Sequence, residues 1–255
     1  MNTVRQILDF LCSIAPLELQ TSYDNSGFLL GRREAPVSRV LLALDATGEV
    51  VEEAAELGVQ LLITHHPLIW GALKSVTGDM ETGEKLLRLT EKGIAVISMH
   101  TNLDIARGGV NDVLIRLLGA EPEDALDAEG CGRIGHLASA MPFKEFLCLC
   151  KTKLNTGGLR YYDAGRPVEK IAVLGGSGGS AIEDAYNKGC DTFVTADIKY
   201  NQFLSAKELG INLIDGDHFC TENPVIPELA ARLKITFPDV EFTISKKHGQ
   251  VISFC

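Results

Sequence analysis

The sequence predicts an α/β protein made of two similar α/β lobes with a metal cleft between them. Three observations carry this expectation. Short apolar runs of strand length alternate with helical segments that end at a glycine. The order occurs at Val40–Asp45, Glu49–Leu57 with Gly58, and Leu61–Thr64, and again at Ile171–Leu174, Ala181–Lys188 with Gly189, and Thr192–Thr195. Finally, histidines and carboxylates gather after the strands, at the carboxyl ends where open α/β sheets place their ligands.

In chain order, Val4, Ile7, Leu8 and Leu11 fit one face of an opening helix, and Asp9 breaks any apolar core of a signal peptide. Tyr23 to Gly27 read as a loop before the strand Phe28–Leu30. Ala46 to Gly48 turn the chain from strand to helix, and Lys92 to Ile97 lead through a further strand to His100. The acidic, glycine-containing segment Ala120 to Cys131 reads as a linker, Phe146 to Cys150 as helix, and Leu154 to Glu169 as a loop or edge strand. Gly175 to Ser180 form a turn, and Ile211 to Ile214 a strand. Pro224 and Pro227 suit the opening turns of the helix that follows. Val240–Ser245 and Val251–Phe254 alternate as half-exposed strands that return to the first lobe. The expected division is therefore 1–125 with 235–255, and 126–234. The internal match between the two β-α-β segments sets Thr64 on Thr195 and His66 on Asp197.

At 255 residues, 45% hydrophobic and 23% charged, the chain has an ordinary globular composition. No apolar run reaches membrane-spanning length, so no membrane association and a cytoplasmic compartment are expected. A net charge of −10 speaks against general nucleic-acid binding. Seven cysteines, an odd number without a C-x-x-C pair, indicate neither a disulfide framework nor a zinc ribbon.

The chemistry centres on Thr64-His65-His66-Pro67. A regular strand aims neighbouring side chains at opposite faces. A strand-to-loop break, enforced here by proline, can aim both at one point. A second strand end carries His100 and Asp104, and a third His218 and Glu222, four apart and on one face of any helix that starts there. Imidazoles and carboxylates in this mix suit one or two Zn, Fe, Mn or Co ions. Two carboxylates permit a bridged pair about 3.5–4 Å apart. His100 is a candidate ligand, acid/base group or orienting residue. Asp45 is a cap or lines the cleft, and Asp197 and Lys199 are candidates for substrate contact. The run Gly176 to Ala181 fits G-x-G-x-x-A. No such motif opens the first β-α unit, so a tight strand-to-helix turn is expected rather than a dinucleotide site.

Taken together, Asp24-Asn25-Ser26-Gly27, Asp45-Ala46-Thr47, Thr64-His65-His66-Pro67, His100 to Asp104, Gly175 to Gly178, Thr195 to Tyr200 and His218 to Glu222 resemble the NIF-three-like dinuclear metal-centre family. Its members are often named GTP cyclohydrolase 1 type 2 homologs. The resemblance runs almost end to end. It implies two divalent transition-metal ions per chain, held by His65, His66, Asp104, His218 and Glu222. It also implies two α/β lobes, a homohexameric ring and a nucleotide or related heterocycle as substrate. His100 and Asp197 are the candidate catalytic residues, His100 as acid/base group. The family pattern usually has Gly at Ala196, His at Asn201 and Gly-His at Asp217-His218. None of these departures removes a ligand. Metal-assisted hydrolysis is the chemistry such a site would perform. A metal-handling protein or a metal-stabilised scaffold without turnover is the alternative.

Overall fold

The computed structural model describes residues 2–255. The chain divides into two compact units: residues up to Ala106 with Ile226–Gly249, and Arg107–Val225 with Gln250–Cys255.

The first unit opens with the helix Val4–Ile14, which buries Val4, Ile7, Leu8 and Leu11. Thr3 starts it with a reciprocal cap, its hydroxyl accepting from the Gln6 amide while the Gln6 side chain accepts from the Thr3 amide. The unit's main sheet runs Glu241–Ile244, Arg39–Ala43, Leu61–Thr64, Ala95–Ser98 and Gly27–Leu30. The first four are parallel, and Gly27–Leu30 pairs antiparallel with Ala95–Ser98. Leu61–Thr64 and Ala95–Ser98 are buried at every position, which is why they read as continuous apolar runs. The helix Gly48–Leu57 is capped by Thr47 and closed by Gly58 in the left-handed region (φ 59°). Its Val50, Val51 and Ala54 pack on Leu41, Leu62 and Val96 from the sheet.

The second unit's sheet runs Asp124–Ala125, Arg133–Met141, Val168–Ser177, Thr192–Ala196, Asn212–Asp215 and Arg160–Tyr162. Its three strands Val168–Ser177, Thr192–Ala196 and Asn212–Asp215 are parallel. Arg160–Tyr162 pairs antiparallel with the last of them. Each unit thus has three consecutive parallel strands with an antiparallel edge strand beside the third. The internal match in the sequence reflects this shared topology. The opposite flanks differ: parallel Glu241–Ile244 in one unit, antiparallel Arg133–Met141 in the other.

Several sequence expectations need correction. The first boundary lies near 106 rather than 125, because the helix Val110–Leu117 sends Leu114 and Ile115 into the core of the second unit with Phe146, Val168 and Ile171. The return to the first unit begins at Ile226, not 235. Ala120 to Cys131 is not a linker. Asp124–Ala125 pairs with Arg133 and Ile134, Leu126 is fully buried, and the Asp127 carboxylate accepts from the Glu129 and Cys131 amides. The strand through Ile171 does not stop at Leu174 but continues to Ser177 with an irregular register. A 3-10 turn at Gly179–Ala181 then leads to the helix Ile182–Asn187. Val251–Phe254 forms no strand. Instead the Phe254 ring occupies the space a side chain would need at Gly157 or Gly158.

Candidate metal centre

In the first unit, the strand Leu61–Thr64 ends in an irregularity that the sequence only hinted at. The amides of both His65 and His66 donate to the Leu44 carbonyl, at 3.1 and 3.0 Å. Two consecutive amides sharing one acceptor break the strand alternation, and both imidazoles reach the same side. Their ring centroids lie 4.9 Å apart. His100, after Ala95–Ser98, brings a third ring to 5.1 Å from His65 and 5.5 Å from His66. One ligand atom from each of the three lies within 4.8 Å of the others. Asp104, on the short helix Thr101–Ile105, sets its Oδ1 3.6 Å from His65 Nε2.

Each of these rings is held at Nδ1 by an oxygen. His65 Nδ1 meets the Met99 carbonyl at 2.8 Å, His66 Nδ1 the Asp45 carboxylate at 2.7 Å, and His100 Nδ1 the Asp24 carboxylate at 2.8 Å. A carbonyl or ionised carboxylate only accepts, so Nδ1 carries the hydrogen and Nε2 becomes the lone-pair nitrogen. That arrangement fixes the ring and raises the basicity of a metal-ligating histidine.

Asp24 anchors this set. Its buried carboxylate accepts from the Asn25 amide (2.7 Å), the Ser26 hydroxyl (2.7 Å), and the Thr101 amide and hydroxyl (3.1 and 2.6 Å), besides His100. Burial alone would raise its pKa, but the hydrogen bonds from His100, Thr101 and Ser26 hold it far below the carboxylate range.

The second unit carries its own donor set. After Asn212–Asp215, Asp217 adopts φ 76° and caps the helix His218–Glu222 by accepting from the Cys220 amide. The helix then sets His218 Nε2 3.2 Å from Glu222 Oε2, the i,i+4 placement expected from the spacing. His218 Nδ1 meets the Asp197 carboxylate at 2.7 Å. Asp197 itself lies at φ 54°. Two aspartates in the left-handed region cost about 1–2 kcal/mol each relative to ordinary backbone, and both serve this donor set. Burial lowers the basicity of His218, yet the Glu222 and Asp197 carboxylates outweigh it and raise its pKa to about 9. Near neutral pH a cation must therefore displace a proton from the metal-free imidazole. Cys220, between the two donors in sequence, is no rival. Burial first, then Asp217, pushes its thiol up to about 11.

The glycine run is packed against this set. A side chain at Gly176 would strike the Glu222 carboxylate and come within 3.1 Å of His218 Nε2. The Gly175 amide donates to Asn111 Oδ1 (2.8 Å) and the Gly176 amide to Thr221 Oγ1 (3.0 Å). These two backbone donors are thus committed to the protein, which agrees with a structural role for the start of the run.

The structure brings His65, His66, His100 and Asp104 together in one unit, and Asp197, His218 and Glu222 in the other. The sequence left Asp45 undecided between cap and cleft lining, and gave Asp24 no role of its own. Both prove to be histidine partners. The helix Tyr200–Leu209 exposes Asn201, and Lys199 is likewise exposed. Asp45→Asn and Asp197→Asn should each lower metal affinity about 10- to 100-fold while leaving the circular dichroism spectrum unchanged. Competition against a chelating dye measures this, and wild-type affinity in both variants would remove the histidine–carboxylate pairs from the site.

A family model for Duf34/NIF3 (NGG1p interacting factor 3) matches residues 2–250. The chain belongs to this family. Relatives named GTP cyclohydrolase 1 type 2 homolog include one from Clostridium perfringens, 36% identical over 98% of this chain and 99% of its own. A Helicobacter pylori relative named GTP cyclohydrolase 1 type 2 is 33% identical over 87% of this chain and 88% of its own. Among solved structures, a hypothetical protein of Staphylococcus aureus superposes with a TM-score of 0.90 at 28% identity, covering 99% of both chains. Reduced HcgD from Methanocaldococcus jannaschii gives 0.86 at 29% identity over 96% of this chain and 98% of its own. The mixed α/β fold is that of the family. Among the described residues, no helix is long and apolar enough to cross a membrane.

Proposed function

We propose that the protein is a metal-dependent hydrolase with a dinuclear centre, acting on a nucleotide or related nitrogen heterocycle. His65, His66 and Asp104 of the first unit and His218 and Glu222 of the second would hold two divalent ions from among Zn, Fe, Mn and Co. One observation carries the metal reading. His65, His66, His100 and His218 all stand just after strands with Nδ1 held by an oxygen acceptor, so that Nε2 is the nitrogen each would present to an ion, in His218 after release of its proton. Imidazole with carboxylate is the donor chemistry that borderline transition ions prefer. When bound, such ions supply Lewis acidity and lower the pKa of water toward neutrality.

The chain's own residues have separable tasks. His100, fixed at Nδ1 by Asp24, would take or give a proton at Nε2. Asp197 acts through His218 and is a positioning residue rather than a catalytic one. His65 is 1% exposed, which keeps bulk water from its ring. The names of the relatives support hydrolysis and a nucleotide-like substrate, and the family resemblance supports a homohexamer. A fold by itself hosts many chemistries, so the substrate class rests on those names.

Elemental analysis of purified protein, native and His218→Ala, tests the metal. A hydrolysis screen of metal-loaded and chelated samples tests the reaction. The expected result is stoichiometric metal that falls in His218→Ala, with turnover lost on chelation. Sub-stoichiometric metal under metal-replete conditions overturns the centre. Full metal without turnover on any nucleotide overturns the hydrolase in favour of metal handling.

A further inference from the structure

Trp70 is the chain's single tryptophan, and it is 54% exposed. An indole is among the largest apolar surfaces a chain can bury, and tryptophan is enriched where proteins contact their partners. It stands on the irregular segment that follows His65-His66-Pro67. Its ring centroid lies 5.2 Å from that of His100, the planes 70° apart. This edge-to-face contact engages one side of the ring and leaves half of the residue in solvent. The space beside it is open, for a side chain at the neighbouring Gly71 would meet nothing within 4 Å.

The indole is also held in register with the histidines. Asn25 Nδ2 donates to the carbonyl of Ile69, the residue before Trp70, at 2.6 Å. The preceding residue, Asp24, holds His100. Adjacent side chains of one short loop therefore fix both the acid/base candidate and the exposed ring next to it. A merely solvated loop would not need that shared anchor.

We propose that Trp70 is a stacking platform for the flat heterocyclic ring of the substrate, placing it beside the cluster of His65, His66 and His100. The proposal rests on the nitrogen-heterocycle reading given above. Every nucleobase has a π-face, so the platform selects a flat ring without fixing which one.

The test uses the full-length metal-loaded protein, with guanosine as ring-bearing probe and ribose 5-phosphate as ringless control. All tryptophan emission comes from Trp70, so stacking is read directly. Guanosine should quench the emission saturably, and ribose 5-phosphate should not. By equilibrium dialysis, Trp70→Ala should weaken guanosine binding about 5- to 150-fold, and Trp70→Phe should stay within about threefold of wild type. Metal content should not change in either variant. Absence of saturable quenching, or equal affinity in Trp70→Ala, overturns the proposal. So does a Trp70→Ala protein that binds guanosine normally but sediments at a different size, which would assign the indole to a second copy of the chain. Titration after chelation separates this proposal from the metal reading. Quenching that survives in a protein with no stoichiometric metal sustains the platform while the dinuclear centre fails.

Discussion

Asp24→Ala should lower the melting temperature by about 10 °C at neutral pH. The carboxylate is fully buried and accepts from the Asn25 amide, the Ser26 hydroxyl, both donors of Thr101, and His100. Alanine removes the acceptor and strands those donors in a cavity. Breaking a buried charged pair by deleting one partner costs about 3–5 kcal/mol. For a chain of this size, each kcal/mol moves the midpoint by about 2–4 °C. The effect carries a pH signature. Hydrogen bonding depresses the Asp24 pKa in the folded state, so its stabilisation is present above the unfolded value of about 3.9 and is lost as pH falls below it. The gap between wild type and Asp24→Ala should accordingly hold from pH 7 to about 5 and shrink as pH falls below about 4. Calorimetric scans at several pH values measure both. A gap of a degree or less at pH 7, or one constant with pH, would show that this carboxylate does not hold the loop.

How much of this was legible in the sequence depended on whether the determining contact was local. The parallel strands announced themselves because both faces of Leu61–Thr64 and Ala95–Ser98 are buried, which leaves unbroken apolar runs. Gly58 and Gly189 were readable as helix ends because each takes the left-handed conformation just after its helix. Arg133–Met141 gave little signal. Its inner half is buried at successive positions and its outer half exposed, so no period of two develops. The glycine run misled because it continues a strand on the strength of long-range acceptors, Asn111 and Thr221, that no local pattern reveals. The candidate ligands were visible as strand-end histidines and carboxylates. Their partners were not. Asp45 and Asp24 lie 21 and 76 residues from the rings they hold, and only the folded chain joins them. A weak signal existed in the Asp-Asn-Ser-Gly loop, whose four polar or small residues exceed what a plain turn requires.

Gly176→Ala should lower metal affinity about 100-fold or more, at or beyond the top of the range for losing an outer-sphere partner. Two effects coincide at this position. The residue lies at φ 67°, where a side chain costs about 1–2 kcal/mol. The added methyl also collides with the Glu222 carboxylate and crowds His218 Nε2. Glu222 has little room to withdraw. It is 3% exposed, and the neighbouring Thr221 is bound on two sides, accepting from the Gly176 amide and donating to the Asp217 carbonyl. The collision therefore falls on the atoms proposed to bind the ion and not on a flexible surface. Gly189→Ala separates the two effects. Gly189 has φ 75°, in the same unit, and a methyl there meets nothing within 4 Å. It should lose about as much stability from the backbone yet bind metal as wild type does. Gly178→Ala is a poorer probe, since its methyl strikes the Leu174 and Thr195 side chains, and a loss there would report packing rather than a ligand. Metal titration of Gly176→Ala against Gly189→Ala, with melting curves for both, decides the matter. Equal metal affinity in the two variants would mean that Glu222 and His218 do not bind the ion through the face that Gly176 leaves open.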